Sequence, residues 1–361
     1  MSGTVLSVPA RQGARAVAAL VLLALLPAAN AAAKPGSAPT PAPRLSDTGL
    51  YSDIASRTIA PGNLAYAPQY PLWSDGAVKH RWIRLPAGTA IDASDPDAWK
   101  FPAGTKVWKE FAFGGRRVET RLMKALGGGR WQFATYLWNA DETNAFLAPA
   151  SGVPGVADLG GGKRHDIPSV TDCRACHDGR RTEVLGFSAL QLSSDRDPAV
   201  PHAERLEPGM ITLDTLIETK RIRHAPKDWA RSPPRIEGRT PTERAALGYL
   251  HANCGSCHNP GGDLDNRGVL LRHPLGARPP DVPAVRTTVG RRGTWSIPGE
   301  RTDNSWLVHP GDPSHSAVAF RMGTREPSDQ MPPLATQLVD VEAVELVRRW
   351  IRNDLVVEEG P

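Results

Sequence analysis

The four cysteines of the chain fall in two copies of one pattern, Cys173-Arg174-Ala175-Cys176-His177 and Cys254-Gly255-Ser256-Cys257-His258. Two thiols separated by two residues can add to the two vinyl groups of one haem, and the histidine that follows sets an imidazole under the iron. The pattern predicts two covalent haems c, attached through Cys173, Cys176, Cys254 and Cys257, with His177 and His258 as axial ligands to iron. Competing chemistries fit less well. A zinc site made from two CxxC pairs prefers a far shorter interval than that between Cys176 and Cys254, and it leaves both histidines unexplained. A disulfide framework suits an exported chain, yet the repeated two-residue spacing favours redox or metal chemistry. A thioredoxin-like centre needs a βαβ context that neither segment has.

A haem iron takes a sixth ligand or keeps an open position. For the second site the candidate is Met331 in Asp329-Gln330-Met331-Pro332-Pro333, because the proline pair biases the methionine to an extended backbone and stiffens the loop that would hold its thioether. Met322, His309 and His315 are rivals. The first site has no equally plain partner: Met210, His202, His224, His165 and His251 are candidates, and an open position is the alternative.

The surrounding elements must position these groups. Thr240, Pro241, Thr242 and Glu243 give an N-cap hydroxyl, a proline at the first helical position and a Glu three residues after the cap, so a helix is expected to run through Ala245, Leu247 and Leu250 to the second CxxCH. Val341, Val344, Val347, Ile351 and Leu355, with Trp350, form a second helical stripe. Upstream, Val107–Phe113, Arg117–Leu126 and Arg130–Trp138 are strand-like runs separated by glycines and read as a meander. Six of the ten tryptophans lie between Leu50 and Ala150, as core or as stacking faces for a flat ligand.

These readings make a multidomain chain: residues 1–33 a signal peptide, 34–47 a linker, 48–152 a Trp-rich β domain resembling a sandwich, 153–234 a loop-rich, mainly α first haem-binding segment, and 235–358 an α-helical cytochrome c domain. The leader reading rests on Arg11 and Arg15, the apolar run Ala16–Leu26, too short to span a bilayer, and the small residues ending at Ala31 or Ala33. It implies a periplasmic or otherwise exported protein with no membrane span in the mature chain. Net charge is +5 and dispersed, which gives no footprint for nucleic acid.

Tyr70-Pro71-Leu72-Trp73-Ser74-Asp75-Gly76-Ala77, Phe101-Pro102-Ala103-Gly104-Thr105, Glu119-Thr120-Arg121-Leu122, Pro310-Gly311-Asp312-Pro313 and Gln330-Met331-Pro332-Pro333, with the two CxxCH motifs, make the chain resemble a family of exported dihaem c-type cytochromes that carry a Trp-rich β domain ahead of the haem sites. Its last portion is similar to the wider cytochrome c superfamily, which implies His258 and Met331 as axial ligands. The resemblance implies haem binding and electron transfer to redox partner proteins, and names no substrate. Two other roles stay open: the missing plain ligand allows a dihaem peroxidase or oxidase with an open first haem, and the likeness of these segments to ones fused to quinoprotein sugar-dehydrogenase-like propellers implies an electron-relay subunit for a quinoprotein-type dehydrogenase.

Overall fold

A computed structural model describes residues 1–4, 39–178, 184–262, 264–301 and 304–355. Most of the expected leader and residues 34–38 of the expected linker lie outside the described residues.

The strands follow the alternation of the sequence. A small antiparallel pair, β1 (Tyr51–Asp53) and β2 (Thr58–Ile59), precedes β3 (Leu64–Ala65), β4 (Val78–Arg84), β5 (Ile91–Asp92), β6 (Lys106–Phe113), β7 (Arg116–Gly127), β8 (Arg130–Trp138) and β9 (Ala145–Leu147). Six of them make one antiparallel sheet in the order β3-β4-β6-β7-β8-β9. The three expected runs are β6, β7 and β8, so the meander forms as the glycine punctuation predicts. The sandwich does not: the other three sheets of the described residues are two-stranded, and loops and short elements cover both faces of the six-stranded sheet. Trp108, Leu122, Ala134, Tyr136 and Trp138 pack on one face against Leu45, Leu50 and Tyr51. Leu45 is fully buried and Pro43 accepts a backbone hydrogen bond from Leu147, so packing begins inside the segment expected to be linker.

On the opposite face Val107, Ala125, Trp131 and Phe133 share a core with Trp99, Phe187, Leu192 and Leu213. The chain reaches that face through the hairpin of β10 (Val153–Gly160) and β11 (Lys163–Ile167), then α1 (Val170–His177) and α2 (Leu213–Glu218), and β12 (Ile222–Arg223) pairs in parallel with β5.

The remainder is helical where apolar residues recur at helical spacing. α3 (Pro241–Asn253) starts as expected, the Thr240 hydroxyl accepting the Glu243 N–H at 3.0 Å. The Glu243 carboxylate reaches Arg239 N–H at 2.6 Å, not the N–H of Thr240, and it also takes the Trp350 indole N–H at 3.3 Å. α4 (Pro283–Thr288), α5 (Ala317–Met322) and α6 (Val341–Arg349) follow, and α3, α5 and α6 bury one core that includes Leu247, Leu250, Val344, Val347 and Trp350. Tyr70, from the segment between β3 and β4, lies in that same core. Thr40–Pro361 is one compact unit. Among the described residues no helix is long and apolar enough to cross a membrane.

Candidate functional site

The first CxxCH is carried on α1. Ser169 and Asp172 close its N-terminus reciprocally, Ser169 Oγ accepting Asp172 N–H at 3.1 Å and Asp172 Oδ2 accepting Ser169 N–H at 2.9 Å. On a helix the spacing i, i+3, i+4 brings Cys173, Cys176 and His177 to one face. That face borders a cavity open to solvent whose far wall is the sheet, through Val107, Lys109, Arg121, Met123 and Phe133. The His177 and Phe133 ring centroids are 5.6 Å apart. Burial pushes the Cys173 thiol above its ordinary range.

The second CxxCH begins at the C-cap of α3. Gly255 is required there by space: a Cβ would stand 2.5 Å from the His251 carbonyl oxygen and 2.9 Å from the Arg272 Cα. His258 Nδ1 faces the Val269 carbonyl oxygen at 3.3 Å, the contact that fixes an imidazole tautomer with Nε2 left to ligate. Burial lowers the His258 pKa, which favours the neutral imidazole, and pushes the Cys254 thiol up to about 12. The adjoining cavity, about 840 Å³, is walled by apolar groups such as Leu271, Trp295, Leu307 and Val318.

The two thiol pairs line different cavities, so they do not converge as four zinc ligands, and no group of three or more His, Cys, Asp or Glu suited to a bare ion occurs among the described residues. No disulfide joins any of the four cysteines. Two thiols and an imidazole beside a cavity, at each of two places, form a donor set that fits a covalently held haem.

For the sixth position of the second site, Met331 and Met322 both line the cavity. Met331 is anchored by its N–H to the Arg321 carbonyl at 2.8 Å, whereas Met322 is buried in the helical core. His309 packs edge-on to Trp306 and His315 binds Asp312 at 2.5 Å; neither lines the cavity.

None of the five sequence candidates lines the first cavity. His202 Nε2 is 2.8 Å from Asp340 Oδ1, His224 Nδ1 is 3.0 Å from Asp92 Oδ1, and His165 Nε2 is 2.9 Å from Glu119 Oε1. His251 accepts the His273 N–H at 3.0 Å in a neighbouring cavity, and Met210 closes a turn onto Glu207. The structure instead brings Met123 of β7 to the first cavity, a residue that sequence reasoning passed over. Strand alternation sets Met123 on the face of β7 shared by Arg121 and Ala125, but nothing in the sequence tells which face meets α1.

The cavities adjoin. Ala252 lines the first, and the next residues, Asn253 and Cys254, line the second. The same alternation recurs after α5, where Met331, Pro332 and Pro333 line the second cavity and Leu334 and Ala335 the first. Tyr70–Asp75 braces both stretches: Asn253 Oδ1 accepts Trp73 N–H at 2.7 Å, and Asp75 Oδ1 accepts the N–H groups of Gln337 and Leu338 at 2.7 and 2.8 Å. The chain matches no family model, no curated protein and no solved structure among those compared.

Proposed function

We propose that the protein is an exported dihaem c-type cytochrome that relays single electrons between redox partners. The observation that carries this reading is the shared partition: two CxxCH cavities are separated, at two places in the chain, by the step from one residue to the next. A haem at each site supplies one-electron redox chemistry at its iron, tuned by axial ligand, hydrogen bonding and burial.

The residues have distinct tasks. Cys173 and Cys176 would hold one haem and Cys254 and Cys257 the other, with His177 and His258 offering their imidazoles to the iron. Val269 orients His258. Met331 supplies the sixth ligand of the second site. Met123, the one thioether in the lining of the first cavity, supplies that of the first. Unequal walls, with Arg81, Lys109 and Arg121 on the first cavity and Arg321 among mostly apolar groups on the second, support two unequal potentials.

The test is a pyridine haemochrome assay after acid-acetone extraction, followed by a redox titration with spectral monitoring. Two haems retained per polypeptide and two separated one-electron steps are expected. Release of haem into the acetone overturns the covalent reading, and peroxide turnover at enzymatic rates with a high-spin first haem replaces the relay by a peroxidase.

A further inference from the structure

The sheet wall of the first cavity is divided by chemistry. Val107, Met123 and Phe133 pair in register across β6, β7 and β8, and two residues further along the strands Arg81, Lys109 and Arg121 pair in register across β4, β6 and β7. All six line the cavity. Two residues of strand separate the rows by roughly 7 Å, so the wall presents an apolar strip and a cationic strip side by side.

Two of the three cations already have carboxylates. Arg81 makes a bidentate pair with Glu204, its Nη2 lying 2.9 Å from Oε1. Arg121 makes another with Glu119, at 3.0 and 2.5 Å. Lys109 stands between them with no carboxylate in ion-pair reach among the described residues; its Nζ lies 4.8 Å from the centroid of the Phe111 ring. Burial, with Arg81, Lys79 and Arg121 nearby, drives its pKa well below the ordinary 10.5. A sequestered ammonium without an anion is unfavourable, and the unfavourable term is relieved when a negative group enters beside it.

We propose that Lys109 is the anion-binding residue of the first cavity and pairs with a propionate carboxylate of a porphyrin, for whose macrocycle the Val107–Met123–Phe133 strip is the counterpart. The assignment rests on the haem reading of Cys173, Cys176 and His177. A small inorganic anion would answer the charge but leave the apolar strip without a partner. An apolar body with acidic arms answers both.

The test compares Lys109→Met and Lys109→Arg in the holoprotein. With two haems retained, the methionine variant lowers one of the two midpoint potentials, because an uncompensated propionate favours the ferric charge, and leaves the other in place. It also shifts a propionate bending band in the resonance Raman spectrum. Lys109→Arg restores both, which loss of packing alone would not predict. Two haems with unchanged potentials and bands overturn the assignment while leaving the haem reading intact; a wild-type protein lacking haem on Cys173 and Cys176 overturns the haem reading itself. Wild-type protein moved into D2O gives a readout without any variant. A propionate bound by an ammonium shows a shifted bending band, and an unshifted one overturns the assignment even where the methionine variant fails to accumulate.

Discussion

Asn253, the residue before the second CxxCH, accepts the backbone N–H of Trp73 through its Oδ1 at 2.7 Å. Its amide also donates to the carbonyls of Pro71, at 3.2 Å, and Tyr249, at 3.1 Å. One side chain thus ties the loop between β3 and β4 to the last turn of α3, at the step where the chain passes from one cavity to the other.

Asn253→Ala leaves the Trp73 N–H and the Pro71 carbonyl without these partners. A loss of stability of about 1–3 kcal/mol is expected, the range for exposing a part-buried polar group to an unmade hydrogen bond. Chemical denaturation of the holoprotein measures it. An unchanged midpoint would show that the loop is held on α3 by other contacts.

Gly248→Ala probes the same junction sterically. An added Cβ would lie 1.9 Å from Cε1 of Tyr70, whose ring is buried in the helical core. Overpacking of this kind costs typically 1–3 kcal/mol. A fall in Tm is therefore predicted, and Tyr70→Phe, which keeps the ring, is predicted not to relieve it. A variant as stable as wild type would mean that Tyr70 moves aside freely.

The axial assignments make separate spectral predictions. Met331→His is expected to lower the potential of the second haem and to remove its share of any near-infrared sulfur-to-iron charge-transfer absorption. Met123→Leu is expected to remove the share of the first haem and to turn that haem high spin. Met322→Leu, a volume-conserving change in the core, should leave the spectrum as it is. Loss of the band in Met322→Leu alone would transfer the second-site ligand to Met322.

His202 lines neither cavity and offers a pH test of its own. Its hydrogen bond to Asp340, the N-cap of α6, raises its pKa above the ordinary 6.5. Because the folded state binds the proton more tightly than the unfolded chain, the stabilisation is complete below about pH 6.5 and fades as pH rises through the folded value. Thermal melts from pH 5 to 9 should lose this component in His202→Gln. Parallel pH profiles for variant and wild type would refute the coupling.

The sequence by itself determined the features whose physics is local. The thiol and imidazole spacing of CxxCH, the Thr240 cap of α3 and the glycine-bounded runs of β6, β7 and β8 each depend on residues a few positions apart, and each stands where periodicity placed it. What faces the first cavity was decided only in three dimensions. His202, His224 and His165 are as suitable in type as any ligand, but Asp340, Asp92 and Glu119, distant in sequence, hold them elsewhere. Met123 and Lys109 look like ordinary strand residues until the sheet turns one face toward α1. The lack of a second large sheet among the described residues has the same origin: alternation in β8 leaves both faces to be covered, and only tertiary packing chooses the N-terminal segment for one face and the chain from Val184 to Trp229 for the other.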